Sequence, residues 1–362
     1  GVRKCFHRNE AIDHPALRGQ LASLRVICAT PADGTPWGAK LWLGYYGGLA
    51  IFDPSTGAFS YPVHLKDDPR SLSAGSIISI FQDRGGVVWL GSNGFGLNKF
   101  DPMAVRFSHP EQYFIGLDPG IQLTRDLSVR SFAVSSSEGK EVLWIGARGI
   151  FQVDRRAGWF RQFVPPYPLG TGSVFSILAG DGGPVWFGTG QGLFAYETAD
   201  GTFRHFDTGL YDSAGGADKR IFKIFRDRRE RLWVITMRTL GLFDPRTGRI
   251  RHYWYSSKPV HPSDEPAFPA VYEDPDGLFW LGTHIGLIVF DPASRSFIRR
   301  YTYNPGNPSG PALNEIQAVE PDPAEPDRYL WLGTAGGGLD RLDRSTGRFS
   351  HFTEKDGLPN DC

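Results

Sequence analysis

One tryptophan motif recurs along the whole sequence and constrains the fold more than any other feature. Seven times a Trp is followed by an aliphatic or aromatic residue and then, with one exception, by Gly. The seven residues are Trp42, Trp89, Trp144, Trp186, Trp233, Trp280 and Trp331. Successive ones lie 47, 55, 42, 47, 47 and 51 positions apart, which is the period of a four-stranded propeller blade rather than of a helical repeat. The sequence therefore predicts an all-β fold: a seven-bladed β-propeller of four-stranded antiparallel blades, with residues 1–362 as a single domain.

The segment 76–102 shows how one repeat is written. An apolar strand (residues 77–81) is followed by an Asp/Gly turn, a strand that carries the Trp motif, a short loop and a third strand (residues 97–100). Short strands separated by turn residues indicate an antiparallel meander, which a fourth, outer strand completes. The Trp supplies an apolar wedge between stacked blades. The Gly two residues later either lets another backbone approach closely or allows a bulge.

Inner strands share an apolar-x-x-apolar form, as in residues 77–80, 129–132, 174–177 and 221–224. Strand alternation places the third position of this form at one edge, where small or polar residues are expected to line a central channel. Lys223 is the exception at this position. Its amine either extends along an apolar stem to solvent or contacts an anion in the channel.

Composition excludes several classes of function. The 39 Lys and Arg residues balance 39 Asp and Glu residues, whereas a nucleic-acid-binding protein should carry a basic surplus. No stretch approaches the roughly 18 apolar residues that a bilayer-spanning segment needs. The three cysteines show no metal-ligand spacing. Cys28 is predicted to be a core residue, and a disulfide between Cys5 and Cys362 is an open alternative.

The sequence predicts no catalytic residue, no metal ligand set and no cofactor, since it contains no G-x-S-x-G, H-E-x-x-H, Walker or Cys/His pattern. Asp83, Asp181 and Asp276 precede Trp strands in Asp-Gly hairpins, where turn formation is the expected role. A glycosidase would need two carboxylates in one cleft, and the sequence pairs no two of these acids.

The loops between second and third strands vary while the strands around them stay constant, which is where recognition usually lies. Aromatic rings there can stack on sugar faces, and Arg and amide groups can fix orientation. Arginines in blades three to five (Arg148, Arg220 and Arg238) favour an acidic ligand. The alternative is that these are solvated loop residues. The candidate ligand-binding residues are Tyr45, Tyr46, Asn93, Phe95, Arg148, Gln191, Arg220, Lys223, Arg238 and His284.

Both ends of the sequence carry partial repeats. Residues 2–7 parallel an outer strand, and residues 353–362 read as the lead-in to a following repeat that is absent. Eight outer strands for seven inner triplets lead us to expect a piece of a longer repeat array, in which one terminal strand completes the ring.

With the repeats aligned, the sequence resembles the two-component regulator propeller family. That repeat reads approximately as an apolar strand, D-x-x-G-x-x-W-[LI]-G-T, then G-G-L, then F-D-P-x-T-G-x-F. Residues 83–101, 280–291 and 331–349 match it closely. Departures are Ile235 in place of Gly, Ala147-Arg148 in the third blade, and residues 293–296 in place of the Thr-Gly turn.

The resemblance implies a periplasmic sensor region within an inner-membrane receptor. Partners would be a second propeller and downstream receptor modules, with histidine kinase or diguanylate cyclase output lying outside this chain, and an oligosaccharide as ligand. We therefore expect an extracytoplasmic, ligand-sensing propeller that is not itself an enzyme and binds no nucleic acid. Two alternatives stay open: a protein-binding or homodimerisation scaffold, and a propeller polysaccharide lyase or glycoside hydrolase.

Overall fold

The structure, a computed structural model, describes a large part of the 362-residue chain. The described residues are 24–30, 39–66, 68, 70–83, 86–101, 106–108, 128–137, 140–154, 159–163, 174–180, 183–209, 219–236, 239–255 and 270–358. Two predictions therefore lie outside them: the outer strand at residues 2–7 and the disulfide between Cys5 and Cys362.

Within the described residues the chain forms seven four-stranded antiparallel sheets, and in each sheet the strands are hydrogen-bonded in chain order. The predicted seven-bladed β-propeller is confirmed. A 3-10 turn, Glu354–Asp356, follows the last strand. The strands are, blade by blade, β1 Leu24–Thr30, β2 Lys40–Tyr45, β3 Gly48–Asp53 and β4 Ala58–Ser60; β5 Ile77–Gln82, β6 Val88–Ser92, β7 Leu97–Asp101 and β8 Arg106–Ser108; β9 Ser131–Ser137, β10 Lys140–Gly146, β11 Ile150–Asp154 and β12 Trp159–Phe163; β13 Val174–Leu178, β14 Val185–Thr189, β15 Gly192–Tyr196 and β16 Phe203–Phe206; β17 Lys223–Arg226, β18 Leu232–Ile235, β19 Thr239–Asp244 and β20 Arg249–Trp254; β21 Ala270–Glu273, β22 Phe279–Thr283, β23 Gly286–Asp291 and β24 Ser296–Tyr301; β25 Ile316–Pro321, β26 Tyr329–Thr334, β27 Leu339–Asp343 and β28 Arg348–Phe352.

The blades belong to two compact units. Unit 1 consists of residues 1–110 and 267–362 and holds blades one, two, six and seven, whereas unit 2 consists of residues 111–266 and holds blades three to five. A single domain over residues 1–362 stays a prediction.

The tryptophan of one blade packs against a phenylalanine of the next blade, as the wedge interpretation predicts. Trp331 of the seventh blade lies 5.4 Å from Phe52 of the first, edge to face. Trp186 of the fourth blade meets Phe243 of the fifth in the same way, also at 5.4 Å. These indoles are 3% exposed or less. Because truncating such a side chain to Ala costs about 3–5 kcal/mol, the Trp contacts hold neighbouring blades together.

The glycine two residues after the tryptophan lets the inner strand of the next blade approach. A Cβ on Gly188 would lie 2.8 Å from the carbonyl oxygen of Ile221, and one on Gly282 would lie 2.8 Å from that of Ile316. Neither contact leaves room for a side chain, because the obstacle is main chain. Of the two predicted roles, close backbone approach is the one that the structure bears out.

A one-residue bulge near the start of the inner strand explains the apolar-x-x-apolar form. In the second blade the pairing runs from Ile77 with Ser92 directly to Ser79 with Gly91. The bulge resets the alternation, so the first and fourth residues of the form face one side and the third faces the other. The same shift occurs in the first, fourth and seventh blades.

The prediction that third-position residues line a channel is wrong for the serines that can be placed. Ser131 directs its hydroxyl to the carbonyl oxygen of Val174 in the following blade at 3.4 Å. Ser176 accepts the backbone N–H of Ile224, again in the following blade, at 3.0 Å. Small residues are needed there because the next inner strand lies on top of them. The inner strands of blades three and five also begin later than predicted, at Ser131 and Lys223.

Candidate functional site

Each blade has two chemically different ends. The loop end carries the turn between its second and third strands and the entry into its first strand. The hairpin end carries the two tight turns, between strands one and two and between strands three and four. The candidate ligand-binding residues were predicted to lie at loop ends, except Lys223, which was predicted on an inner strand facing the channel.

Two exposed aromatic rings contact the segment 75–76 at the loop end of unit 1. Tyr46 and Phe95 are 43% and 48% exposed. Ser76 donates its hydroxyl to the carbonyl oxygen of Tyr46 at 2.6 Å, and the guanidinium carbon of Arg25 lies 5.7 Å from the centre of the Tyr46 ring. The Phe95 ring lies against Gly75, where a Cβ would come within 2.5 Å of a ring carbon. Both rings are therefore held in place while their outer surfaces stay open to solvent.

Tyr45 does not share this exposure, although it precedes Tyr46 directly. Its ring packs against the buried cluster that includes Leu24, Phe52 and Trp331. Burial raises the pKa of its hydroxyl to about 12, with a smaller contribution from Tyr61. Tyr45 is therefore a packing residue in this structure, and its role as a ligand contact stays a prediction. The strand pairing gives the reason, since Tyr45 still pairs with Leu24 whereas Tyr46 begins the turn.

Asn93 and His284 are exposed in the equivalent loops of the second and sixth blades, within unit 1. The backbone N–H of Asn93 donates to the carbonyl oxygen of Ser76 at 2.8 Å, which brings Asn93 to the segment that Tyr46 and Phe95 contact. His284 lies in a turn braced by the hydroxyl of Thr283, which donates to the carbonyl oxygen of Gly286 at 2.7 Å.

This hydroxyl brace recurs and was missed in the sequence. Thr189 and Thr334 make the same bond to Gly192 and Gly338, at 3.0 and 2.9 Å. Its signal was present as the Thr that follows Trp-x-Gly. The brace leaves the turn residues free to differ from blade to blade without changing the frame.

Unit 2 carries the predicted basic residues. Arg148 is exposed in the turn of the third blade, Gln191 is exposed in the turn of the fourth, and Lys223 is exposed at the start of β17. Arg220 is half-buried, three residues before β17, with its guanidinium carbon 5.7 Å from the centre of the Phe222 ring. Arg238 lies outside the described residues.

Sequence reasoning also missed a row of stacked side chains in unit 2. The guanidinium carbon of Arg130 lies 5.7 Å from the centre of the Phe175 ring. The Phe175 ring in turn lies 4.9 Å from the Phe222 ring, at an interplanar angle of 48°, and Arg220 covers the far side of Phe222. No sequence signal could have found this row, because its members come from three blades and Arg130, Phe175 and Phe222 lie more than 40 residues apart.

Histidines of the outer strands fasten the connectors between blades at the loop end. In the seventh blade, His351 Nδ1 lies 2.7 Å from Asp340 Oδ1, and His351 Nε2 lies 3.3 Å from the carbonyl oxygen of Pro308. The hydrogen bond to Asp340 raises the pKa of His351. In the fifth blade, the His252 ring reaches the carbonyl oxygen of Thr208 at 2.9 Å, and burial lowers the pKa of His252.

At the hairpin end, a carboxylate satisfies the buried indole N–H of the blade tryptophan in four blades. A buried Trp needs such an acceptor. The second oxygen of three of these carboxylates also accepts a backbone N–H across the hairpin, as Asp227 does from Arg231 at 2.8 Å. The four pairs are Asp83 with Trp89, Asp227 with Trp233, Asp274 with Trp280 and Asp322 with Trp331, at 2.8, 2.9, 2.7 and 2.7 Å.

In the sixth blade Asp276 lies in the hairpin turn, as predicted, and a second acid accepts the indole N–H. Asp274, which is fully buried, bonds to Trp280, whereas the predicted Asp276 has a side chain 79% exposed. Arg344 from the seventh blade contacts Asp274 at 2.6 Å and lies 5.6 Å from the Trp280 ring centre. The acid sits six positions before the Trp, and the proline that follows it obscured that spacing.

Three blades depart from this arrangement. In the third blade Ser135 accepts the indole N–H of Trp144 at 2.8 Å. In the fourth blade the sixth residue before Trp186 is Gly180, and the predicted acid Asp181 lies outside the described residues. Among the described residues, none accepts the buried indole N–H of Trp42 or Trp186.

The remaining sequence predictions concern cysteine, metals and membranes. Cys28 is a half-buried, free thiol that packs against the cluster between blades one and two. Burial, with a smaller contribution from Glu320, raises its pKa to about 12. Within the described residues no group of three or more His, Cys, Asp or Glu side chains could hold a metal ion. The same residues contain no helix that is long and apolar enough to span a bilayer.

Comparison with known proteins gives one family match. Residues 71–94 match the two component regulator propeller, which confirms the resemblance predicted from the repeats. The matched segment runs from the connector through the inner and Trp strands of the second blade, and it includes Gly75 and Ser76. No curated protein matches the sequence.

Solved structures with a similar fold include three of different kinds. The extracellular domain of BT3049 from B. thetaiotaomicron, assigned to the hybrid two component systems, is 20% identical with a TM-score of 0.64; the match covers 88% of this chain and 39% of that one. Virginiamycin B lyase from Staphylococcus aureus is 12% identical with a TM-score of 0.59, covering 88% and 93%. U3-55K has the same identity and TM-score, covering 88% and 90%. At these identities the likeness shows the fold alone.

Proposed function

We propose that this chain, which carries a two component regulator propeller repeat, is an extracytoplasmic ligand-sensing propeller of a bacterial two-component signalling receptor and recognises an oligosaccharide. The observation that carries the proposal is the pair of exposed rings, Tyr46 and Phe95, anchored to the segment 75–76. Flat aromatic surfaces with polar neighbours suit sugar rings, which present C–H groups on their faces and hydroxyls at their edges. Arg25 and Asn93 supply donors beside them.

The similarity to the extracellular domain of BT3049 supports the signalling part of the proposal. The chain spans about two fifths of that structure. A complete receptor would therefore hold further modules, including the second propeller, the membrane anchor and the output domain.

The test is ligand-induced stabilisation of the purified chain against neutral and acidic oligosaccharides. A ligand that binds the native state raises Tm, and the rise grows with the logarithm of its concentration relative to Kd. We expect one glycan class to raise Tm. We expect Phe95→Ala and Tyr46→Ala each to weaken the binding of that glycan about tenfold, which corresponds to a loss of roughly 1.4 kcal/mol of binding free energy. A glycan-induced shift that both variants leave intact would contradict this site.

Gly75→Ala offers a finer version of the test, because it acts through ring position. The φ of Gly75 is 92°, and the added Cβ would displace Phe95. Gly57→Ala is the matched control: its φ is 71°, and a Cβ there meets nothing within 4 Å. We expect both to cost similar stability, and only Gly75→Ala to weaken glycan binding.

A docking role is the second candidate, because large apolar side chains are exposed on outer strands. Trp254 in β20 is 49% exposed, and Ile298 in β24 is 51% exposed. Such residues on an edge strand suit pairing with another chain. Sedimentation velocity over a range of concentrations separates the candidates: dimerisation abolished by Trp254→Ser or Ile298→Ser, with no glycan-induced shift, would favour docking.

A further inference from the structure

The loop end of unit 2 is built differently from that of unit 1. Four side chains stack in a row across three adjacent blades, in the order Arg130, Phe175, Phe222 and Arg220, with successive separations of 5.7, 4.9 and 5.7 Å. Phe222 is 3% exposed, while Arg130, Phe175 and Arg220 are half-buried. We call this the stacked row. It presents two guanidinium groups flanking an apolar surface.

The fold does not require these side chains. Phe175 occupies the bulge position of its inner strand, where the second blade has Ile78 and the seventh has Gln317. An aliphatic and an amide side chain serve the same backbone position equally well. Blade formation therefore does not explain why aromatic rings and arginines are combined at these positions.

Two exposed turns adjoin the stacked row through backbone hydrogen bonds. The N–H of Val174, one residue before Phe175, donates to the carbonyl oxygen of Ala147 at 2.7 Å. The N–H of Ile221, one residue before Phe222, donates to the carbonyl oxygen of Thr189 at 3.0 Å. These bonds place the turns that carry Arg148 and Gln191 beside the inner strands of the row.

Among the described residues, this end of unit 2 carries more basic than acidic side chains. Lys223 adds an exposed cation at the start of β17. Among the described residues of unit 2, Asp207 is the one acid at the loop end, and it contacts Lys219 at 3.6 Å. The other described acids of this unit lie at the hairpin end, as Asp227 and Asp244 do.

We propose that the stacked row is a subsite for an acidic oligosaccharide, in which Arg130 and Arg220 each pair with the carboxylate of a different sugar unit and Phe175 contacts the C–H face of a sugar ring. A guanidinium presents a planar fork of donors that matches a carboxylate. Partial burial beside apolar rings lowers the local dielectric and strengthens that pairing. This inference rests on the proposed function, since it names the class of oligosaccharide: one that contains uronic acid units.

The experiment compares oligosaccharides that differ only in their carboxyl groups. Galacturonate and mannuronate oligomers are titrated calorimetrically against the purified chain, each beside its carboxyl-reduced counterpart of equal length. We expect at least one uronate oligomer to bind tenfold or more tightly than its reduced form, and the advantage to shrink as salt is raised, because charge pairing is screened.

Variants then assign the effect to the row. The double variant Arg130→Gln, Arg220→Gln should abolish the tenfold preference for the uronate oligomer over its reduced form. Its affinity for the reduced oligomer should be unchanged, and this unchanged binding also shows that the variant is folded. Arg204→Gln is the matched control, since Arg204 likewise lies over a ring of this unit, Phe206, at 5.6 Å, but on the outer strand β16; it should keep the preference.

The outcomes separate the two proposals. A preference that survives the double variant, or equal binding of uronate and reduced oligomers, overturns the subsite and leaves oligosaccharide sensing standing. Failure of the wild-type chain to bind any oligomer in the panel overturns both.

Discussion

The two ends of a blade differ in whether the same side-chain contacts recur from blade to blade. At the hairpin end the same contact is repeated, with Asp83, Asp227, Asp274 and Asp322 each accepting an indole N–H at 2.7 to 2.9 Å. At the loop end the turn between the second and third strands recurs but its residues do not: the first blade exposes an aromatic ring, the third an arginine and the sixth a histidine. Repetition marks the groups that hold the fold, and variation on a fixed frame marks the surface that is free to recognise a ligand.

The largest effect should come from removing a hairpin-end carboxylate. In Asp274→Ala, the indole N–H of Trp280 and the guanidinium of Arg344 lose a fully buried partner. Leaving buried polar and charged groups unpaired costs about 3–5 kcal/mol. Urea unfolding followed by Trp fluorescence should show that loss in the free energy of unfolding.

Asp276→Ala is the control for that variant, since it removes an exposed carboxylate two residues away and should cost less than about 0.5 kcal/mol. Equal losses in the two variants would mean that the hairpin-end contact does not carry the stability assigned to it.

A smaller effect of opposite sign tests the blade that lacks the contact. Gly180 stands six positions before Trp186, and a Cβ there meets nothing within 4 Å. Gly180→Asp should supply the missing acceptor and raise the free energy of unfolding by about 1 kcal/mol, the net value of one hydrogen bond. Gly180→Ala separates this gain from the backbone effect of losing glycine; if the two substitutions stabilise equally, the carboxylate has not reached the indole.

The smallest effects concern the histidines that fasten loop-end connectors, and the two should respond to pH in opposite directions. Burial lowers the pKa of His252 below 6.5, so the unfolded chain binds the proton more strongly and this contribution to stability grows as pH rises towards 6.5. The pKa of His351 is raised, so its contribution is complete below 6.5 and is lost as pH rises through the raised value.

Imidazole NMR titrations of the native chain should place the two histidines on opposite sides of 6.5. Stability measured from pH 5 to 8 should rise less steeply with pH in His252→Gln than in wild type. In His351→Gln it should fall less steeply. Both imidazoles titrating at 6.5 would contradict the contacts described for them.

The features that could be predicted from the sequence alone are those that recur from blade to blade. Seven tryptophans at blade spacing determined the fold, and the Gly after each was correctly interpreted as a site of close backbone approach. The turn role predicted for Asp276 fits its place in the hairpin, but the sequence did not identify Asp274 as the acceptor of the Trp280 indole N–H, which only the geometry shows.

The loop end was harder to predict, because exposure depends on a single register step. Tyr45 and Tyr46 are adjacent and chemically identical, yet one packs in a cluster and the other is 43% exposed. The stacked row was invisible for a different reason. Arg130, Phe175 and Phe222 lie in or directly before the inner strands of three neighbouring blades, and no local pattern records that these side chains meet.

The backbone bonds between a turn and the next inner strand have a mechanical consequence. The carbonyl oxygen of Ala147 accepts a hydrogen bond from the first residue of β13, and that of Thr189 accepts one from Ile221, just before β17. Gly188 lies in close contact with the backbone of Ile221. Pulling on one turn therefore strains the neighbouring blade through main-chain links, which are stiffer than side-chain contacts. Within unit 2 a displacement of one loop-end turn is therefore transmitted to the inner strand of the next blade, and we expect the loop ends of these blades to move together.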